Sequence, residues 1–153
     1  MDDLIEVITA GHVTAVKIVL TSVLLALGVY QALLMAVGYG KLRLPFFAAA
    51  SASATHRAVG DAIVVLVVVV GAFCLGYYGI EDSVRDGAPG PESRVTLHVV
   101  AGFALVGVLA LKVVVLHFWR QAQRLLPLLG LSVLSLLFVT WLSSAGAFLV
   151  GAG

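Results

Sequence analysis

The chain has 153 residues, of which 61% are apolar and 11% charged, with a formal net charge of +1 and a mean hydropathy of +1.13. These values exclude an ordinary soluble domain and indicate an integral membrane protein surrounded by lipid. No basic patch with interleaved aromatic residues is present, so we expect no nucleic-acid partner.

Four apolar stretches are each long enough to cross the hydrocarbon core as a helix: residues 12–38, 57–79, 97–119 and 126–150. The acidic segment before the first stretch lacks the features of a removable signal peptide, so the first span is expected to remain in the mature protein. Turns or loops are predicted between the spans, including the small-residue run that ends at residue 56. The sequence therefore predicts an all-α fold, a single transmembrane domain over residues 1–153 that forms an up-down-up-down four-helix bundle.

Basic and acidic residues alternate between the two sides of these spans. The first and third loops carry basic residues without an acidic one, namely Lys41, Arg43, Arg57, Arg120 and Arg124. The N-terminus and the second loop carry mostly acidic residues, namely Asp2, Asp3, Glu6, Glu81, Asp82, Asp86 and Glu92. The positive-inside rule then predicts a multi-pass membrane protein with the first and third loops in the cytoplasm and both termini outside.

The four histidines fall at span ends, two at each level. His12 and His98 begin the first and third spans at the outer face, whereas His56 begins the second span and His117 ends the third at the inner face. A six-coordinate haem iron needs two imidazoles from opposite sides of the ring, which facing helices of a bundle supply. The pattern favours b-type haem, one or two per chain, with all four histidines as candidate iron ligands.

Spacing limits this interpretation. His98 and His117 are separated by about 28 Å and a rotation of about 100°, so they face different neighbours, and the distance is long for fast transfer between two haems. Gly60 and Gly102 each follow a histidine by four residues and leave space in which a porphyrin edge could rest. The alternative is that insertion alone drives costly histidines to the helix ends, without any metal, and that the glycines are packing devices.

Three ionisable side chains lie deeper in the spans. Lys17 is a candidate to neutralise a haem propionate at the outer face. Lys112 is about 40° out of phase with His98, so it is predicted to point into the bundle and is a second candidate for cofactor binding. Asp61 lies at the same depth as Lys112, but Arg57 is an equally good partner for it. In the fourth span, the hydroxyl residues are expected to bond between helices: Ser132, Ser135, Thr140, Ser143 and Ser144.

Several segments together resemble an uncharacterised family of small prokaryotic four-helix membrane proteins and, more distantly, the ferric-reductase-like and di-haem b-type cytochromes. They are HRAVG at 56–60, Cys74, the loop arginine before LHVVAG at 97–102, Lys112, and VTWLSSAGAFL at 139–149. The similarity covers roughly residues 55–149. It implies a protein of the prokaryotic plasma membrane with bis-histidine haem and transmembrane electron transfer. It also maps the HRxxG and HxxxG motifs onto His56, Gly60, His98 and Gly102.

The chain departs from the family pattern at two positions. Phe73 stands beside the cysteine where family members often have a histidine, and His117 stands near the position of an arginine. If that absent histidine is a ligand elsewhere in the family, the resemblance implies His12 with His98 as the replacement pair at the outer face.

The sequence thus predicts a b-type cytochrome that relays electrons from a cytoplasmic or quinone donor to an extracytoplasmic redox protein. An electron carrier is favoured over an enzyme because no nucleophile with a base, phosphate loop or catalytic carboxylate pair is recognisable. Three alternatives stay open. The first is a cofactor-free accessory or anchor subunit that docks to a larger membrane complex by small-residue helix faces, and the second is a copper or zinc site formed by the outer histidines with Glu6 or Asp86. The third is an ion pathway through Asp61 and Lys112, although the spans lack polar residues to line it. A homo-oligomer is equally compatible with these helices.

Overall fold

The computed structural model describes residues 9–10, 12–42, 49–78 and 92–146. Its long helices are α1 (Val13–Gly38), α2 (Ala49–Tyr78), α3 (Glu92–Phe118) and α4 (Leu126–Trp141). A 3-10 helix at Arg120–Leu125 leads into α4, and a π-helix at Leu142–Gly146 follows it. The predicted all-α architecture is confirmed for the described residues. Four of the helical segments are long and apolar enough to cross a membrane.

The start of α2 differs from the prediction. Residues 49–56 were expected to belong to a turn because they are small, yet they form the first two turns of α2. The run is rich in alanine, the residue with the best intrinsic helix propensity, and small side chains alone do not break a helix. The predicted end of the last span, residues 147–150, lies outside the described residues.

The helices pack unequally around the bundle. α1 packs against α2 and α4, and α3 packs against α4, whereas α2 and α3 touch only slightly. The central core takes residues from all four helices: Leu24, Ile63, Val67, Leu105, Leu109, Val133 and Leu137. Much of the outer surface is apolar, for example Val68, which is 64% exposed. Such side chains suit a lipid environment.

Late residues of α1 and α3 and early residues of α2 and α4 line one cavity, so consecutive helices run antiparallel. We call the end where α1 and α3 finish the basic end, after the flanking Lys and Arg residues, and the opposite end the acidic end. The apolar core lies between these two ends. Polar side chains that face inward form two separate clusters, one around His56 at the basic end and one around His98 at the acidic end.

The contact between α1 and α4 is close because of a glycine. A Cβ built on Gly28 would lie 3.0 Å from the Cδ1 atom of Leu137 and 3.2 Å from that of Leu134. Nearer the acidic end, the indole Nε1 of Trp141 donates a 2.9 Å hydrogen bond to Ser22 Oγ. Small-residue packing and an interhelical polar contact thus hold these two helices together, as is usual in membranes.

Candidate functional site

The four histidines differ in their exposure. His56 and His98 are half-buried, at the basic and acidic ends respectively, while the rings of His12 and His117 are exposed. Neither half-buried ring hydrogen-bonds to another histidine within the described ranges. Each half-buried histidine therefore has its own protein partners.

At the acidic end, the ring of His98 is oriented by the last turn of α4. Its Nδ1 lies 3.0 Å from Ser143 Oγ. The hydroxyl of Ser143 donates its only proton to the carbonyl of Thr140 at 3.1 Å, so its oxygen accepts from the histidine. His98 therefore carries its proton on Nδ1, and its Nε2 keeps a lone pair.

The π-helix explains why Ser143 can reach this ring. Its wider turn contains Ser143, which is 8% exposed, and such turns are frequent at functional sites. Ser144 lies in the same turn, but its hydroxyl donates to the carbonyl of Thr140 at 2.8 Å. The expected interhelical bond of span four is thus confirmed for Ser143, whereas Ser144 and Thr140 bond back to their own helix.

Two charged side chains, Lys17 and Arg94, act electrostatically on His98. The ammonium of Lys17 also acts on Cys74. Lys17 also lines, with Phe73 and Cys74, a small cleft of about 10 Å³ between α1 and α2. His12 immediately precedes α1, with an exposed side chain that makes no capping hydrogen bond. The acidic end therefore brings Lys17 near His98, and His12 begins the helix that carries Lys17.

At the basic end, His56 is paired with an amide. Gln31 is 8% exposed, and its Nε2 donates to the backbone carbonyl of His56 at 3.0 Å. The same nitrogen lies 3.4 Å from His56 Nε2. Because an amide nitrogen only donates, His56 Nε2 must accept, which leaves the ring proton on Nδ1. His56 thus has no free ring lone pair in this arrangement.

Two polar atoms of this pair are left without partners. Gln31 Oε1 and His56 Nδ1 are both buried, and neither has a hydrogen-bond partner among the described residues. One is an acceptor and the other a donor. Buried polar groups of this kind are uncommon and require an explanation.

A cavity of about 270 Å³ lies at the same end of the bundle, lined by Gln31 and by residues of all four helices. Gln31 and Lys112 supply its polar groups, and most of the other lining residues are apolar, including Ile63, Leu109 and Leu131. The prediction that Lys112 points into the bundle is confirmed. Asp61 is exposed instead, and no ion pair joins it to Lys112 in the part of the chain that the structure describes.

The two glycines that follow histidines have different surroundings. A Cβ on Gly60 would lie 3.1 Å from Gln31 Nε2, so this glycine makes room for the amide. A Cβ on Gly102 would meet no described atom within 4 Å. The space at Gly60 is thus used by the protein itself, while the face of Gly102 is open.

His117 is turned away from His56. Its Nδ1 donates to the carbonyl of Val113, one turn earlier in α3, at 3.0 Å. The ring is exposed, and its centroid lies 6.4 Å from that of Phe118. The proposed inner pair of ligands is therefore not brought together within the described bundle, although the ligand role of each histidine stays a prediction.

The described residues supply no cluster of metal-binding side chains for the copper or zinc alternative. No group of three or more His, Cys, Asp or Glu side chains gathers within residues 9–10, 12–42, 49–78 and 92–146. Glu6 and Asp86, the carboxylates of that hypothesis, lie outside those ranges.

Sequence analysis missed Gln31. Its signal was a lone amide in the second half of an apolar span, where a polar side chain is costly unless it has a partner.

Comparison with known proteins gives one match. No curated protein and no solved structure matches the chain. Similarity to ferric-reductase-like or b-type cytochromes therefore stays a prediction. Residues 3–153, nearly the whole sequence, match the model of a family of unknown function, DUF6529. The chain belongs to this family.

Proposed function

We propose that this protein is a membrane b-type cytochrome that would carry single electrons through a haem bound at the acidic end, with His98 as one of the residues that would hold the iron. The observation that carries the proposal is the 3.0 Å contact between His98 Nδ1 and Ser143 Oγ. Because that hydroxyl also donates to the Thr140 carbonyl, the contact assigns the ring proton to Nδ1 and leaves the Nε2 lone pair for a metal. Metal-ligating histidines usually donate their second ring N–H in this way, which fixes the ring and raises its basicity.

The neighbouring residues complete the proposed site. His12 would be the second residue to hold the iron, and Lys17, whose charge already acts on His98, would neutralise a haem propionate. Gly102, one turn along α3 from His98, leaves an open face for a flat group. When bound, the haem would supply the one-electron chemistry.

The donor chemistry fits the iron, but the enclosed space is too small. The cleft of about 10 Å³ at this end cannot hold a porphyrin. Haem binding therefore requires the helices to separate at the acidic end. The slight packing between α2 and α3 would make that separation inexpensive.

A single haem is favoured over two. At the basic end, the Nε2 lone pair of His56 is taken by Gln31, and the ring of His117 faces outward. A second haem there would require Gln31 to leave both of its hydrogen bonds with His56. The long separation of His98 and His117 along α3 argues in the same direction.

The direction of transfer follows from the charges that flank the spans. In the prokaryotic plasma membrane, the positive-inside rule favours the basic end in the cytoplasm and both termini outside. Electrons would then enter at the basic end, from a quinone or a cytoplasmic donor. They would leave from the haem to an extracytoplasmic redox protein, with the protein acting as a carrier rather than an enzyme.

A reduced-minus-oxidised spectrum tests the proposal. The protein is purified in detergent from cells with full haem supply, and sharp haem bands are expected. We expect His98→Ala to abolish these bands, His12→Ala to weaken or shift them, and His117→Ala to leave them unchanged. Absence of haem bands from the folded wild type, or bands that survive His98→Ala, would contradict the proposal.

A cofactor-free accessory subunit is the second candidate. Cβ atoms built on Gly71, Gly102 and Gly107 meet no described atom within 4 Å, so these helix faces are open to another membrane helix. This role predicts that replacing all four histidines with glutamine leaves crosslinked complexes in native membranes intact. Loss of those complexes in the quadruple variant would argue against it.

A further inference from the structure

Lys112 of α3 carries a positive charge at the wall of the cavity of about 270 Å³. Its side chain is half-buried and forms no hydrogen bond or ion pair in the described part of the chain. The ammonium acts electrostatically on His56 of α2, which places the charge on the side of α3 that faces α2. A charge within a membrane span is costly unless it is paired, so an anion beside Lys112 would be stabilised.

The position of Lys112 along α3 keeps this charge away from the lipid headgroups. It precedes Phe118, the last residue of the helix, by about 9 Å along the axis. Phe118 and Trp119 are both more than half exposed, as expected of aromatic side chains at the membrane–water interface. Lys112 therefore lies below the interface, at the depth of the lipid chains.

The rest of the cavity wall is almost entirely apolar. Apart from Lys112 and Gln31, the lining residues are glycines or apolar residues, for example Ile63 and Leu109. The cavity is partly open, and Leu131 at its wall is 62% exposed, so a molecule can enter from the surrounding lipid. A complementary ligand combines an apolar chain with one negative charge.

We propose that this cavity binds a long-chain fatty acid, whose carboxylate pairs with the Lys112 ammonium and whose alkyl chain lies along the apolar lining. A hydrogen bond between an ammonium and a carboxylate is among the stronger polar contacts in proteins. The burial of methylene groups adds to the affinity. The volume lies just below the usual range of ligand pockets, so the cavity holds the head and the first part of a single chain.

A diacyl phospholipid fits the cavity less well. Its phosphate belongs to the headgroup region, above the depth of Lys112. Its two chains and headgroup also exceed a volume of about 270 Å³. A lysine that only extends toward the interface is the remaining explanation, and it predicts no preference for an anionic ligand.

The inference does not depend on the proposed haem, so binding is measured both in the full-length wild type and in His98→Ala. The proteins are purified in an uncharged detergent and studied by native mass spectrometry at neutral pH. The probes are palmitate, hexadecanol, which has the same chain length without the charge, and dipalmitoylphosphatidylglycerol. Each probe is added at the same ratio to detergent.

We expect palmitate to bind about 10-fold more tightly than hexadecanol, in the wild type and in His98→Ala alike. Lys112→Met should reduce this preference to less than about twofold. It removes an unpaired charge from an apolar site, so it is expected to fold. Lys41→Met is the matched control, since Lys41 is exposed at the same end and lies outside the cavity, and it should change nothing.

A second variant tests the cavity itself. A Cβ at Gly130 meets only Met35 Sδ, at 3.7 Å, so the side chain of Gly130→Leu can fill the cavity from α4. This variant should weaken the binding of palmitate and of hexadecanol by about 10-fold. It also keeps the inference testable should Lys112→Met fail to fold.

Four results would overturn the inference. They are no binding of palmitate by the wild type, equal binding of palmitate and hexadecanol, a preference that survives Lys112→Met, and palmitate binding that is unchanged in Gly130→Leu. Phosphatidylglycerol that binds as tightly as palmitate would also overturn it, because the occupant would then be a phospholipid.

Discussion

The hydroxyl of Ser143 determines how the His98 ring is held, because it accepts from Nδ1 while donating to the carbonyl of Thr140. Without that acceptor the ring can rotate, and either nitrogen can carry the proton. Loss of an outer-shell partner of this kind typically weakens metal binding 10- to 100-fold. Ser143 is thus a positioning residue for the proposed haem ligand.

We predict that Ser143→Ala lowers haem affinity by about 10-fold or more and shifts the reduction potential of the haem that remains. Ser144→Ala is the matched control, since that hydroxyl bonds only within its own helix. Haem titration and potentiometry of the two variants check this prediction. Equal behaviour of Ser143→Ala and Ser144→Ala would rule out the positioning role.

Which site residues could be predicted from the sequence depended on how costly each side chain is in lipid. Histidines and lysines are conspicuous in apolar spans, so His98, Lys17 and Lys112 could be selected from sequence. Their partners depend on details that no single sequence encodes in a simple pattern. Ser143 reaches His98 through a π-helix, and Gln31 meets His56 across two helices.

At the scale of the helices, α1 and α4 approach closely where Gly28 meets Leu134 and Leu137. We predict that Gly28→Leu separates these helices and lowers the free energy of unfolding by about 1 to 3 kcal/mol, the usual cost of overpacking. Gly107→Leu, on an open face of α3, should cost far less. Thermal unfolding in detergent compares the two variants, and equal melting temperatures would contradict the packing observed here.

The helices themselves were largely predictable, because hydrocarbon thickness fixes a minimum apolar length. The length of an apolar stretch does not predict how far a helix extends beyond that stretch. The helix α2 starts before its apolar stretch, at Ala49. The sequence also did not predict which pairs of helices pack tightly. Tight packing depends on the shape of the helix surfaces, whereas the composition is similar on every face of these helices.

At the scale of the whole molecule, two polar clusters lie at opposite ends of an apolar core. In the cytochrome proposal, this separates a donor site at the basic end from a haem at the acidic end. That arrangement is useful only if the two ends face different compartments.

We predict that the acidic end faces outward. In a Cys74→Ser background, Ala10→Cys should react with a membrane-impermeant maleimide added to intact cells, whereas Lys41→Cys should react only after lysis. Both positions are exposed, at opposite ends of α1. The reverse labelling pattern would invert the predicted orientation and, with it, the direction of electron flow.

The haem content of the purified polypeptide tests the central claim most directly. Haem extracted from the folded, full-length protein, produced with full haem supply, is quantified against polypeptide determined by amino-acid analysis. The account predicts close to one haem per chain, bound at the acidic end. A well-folded preparation with no haem would contradict it.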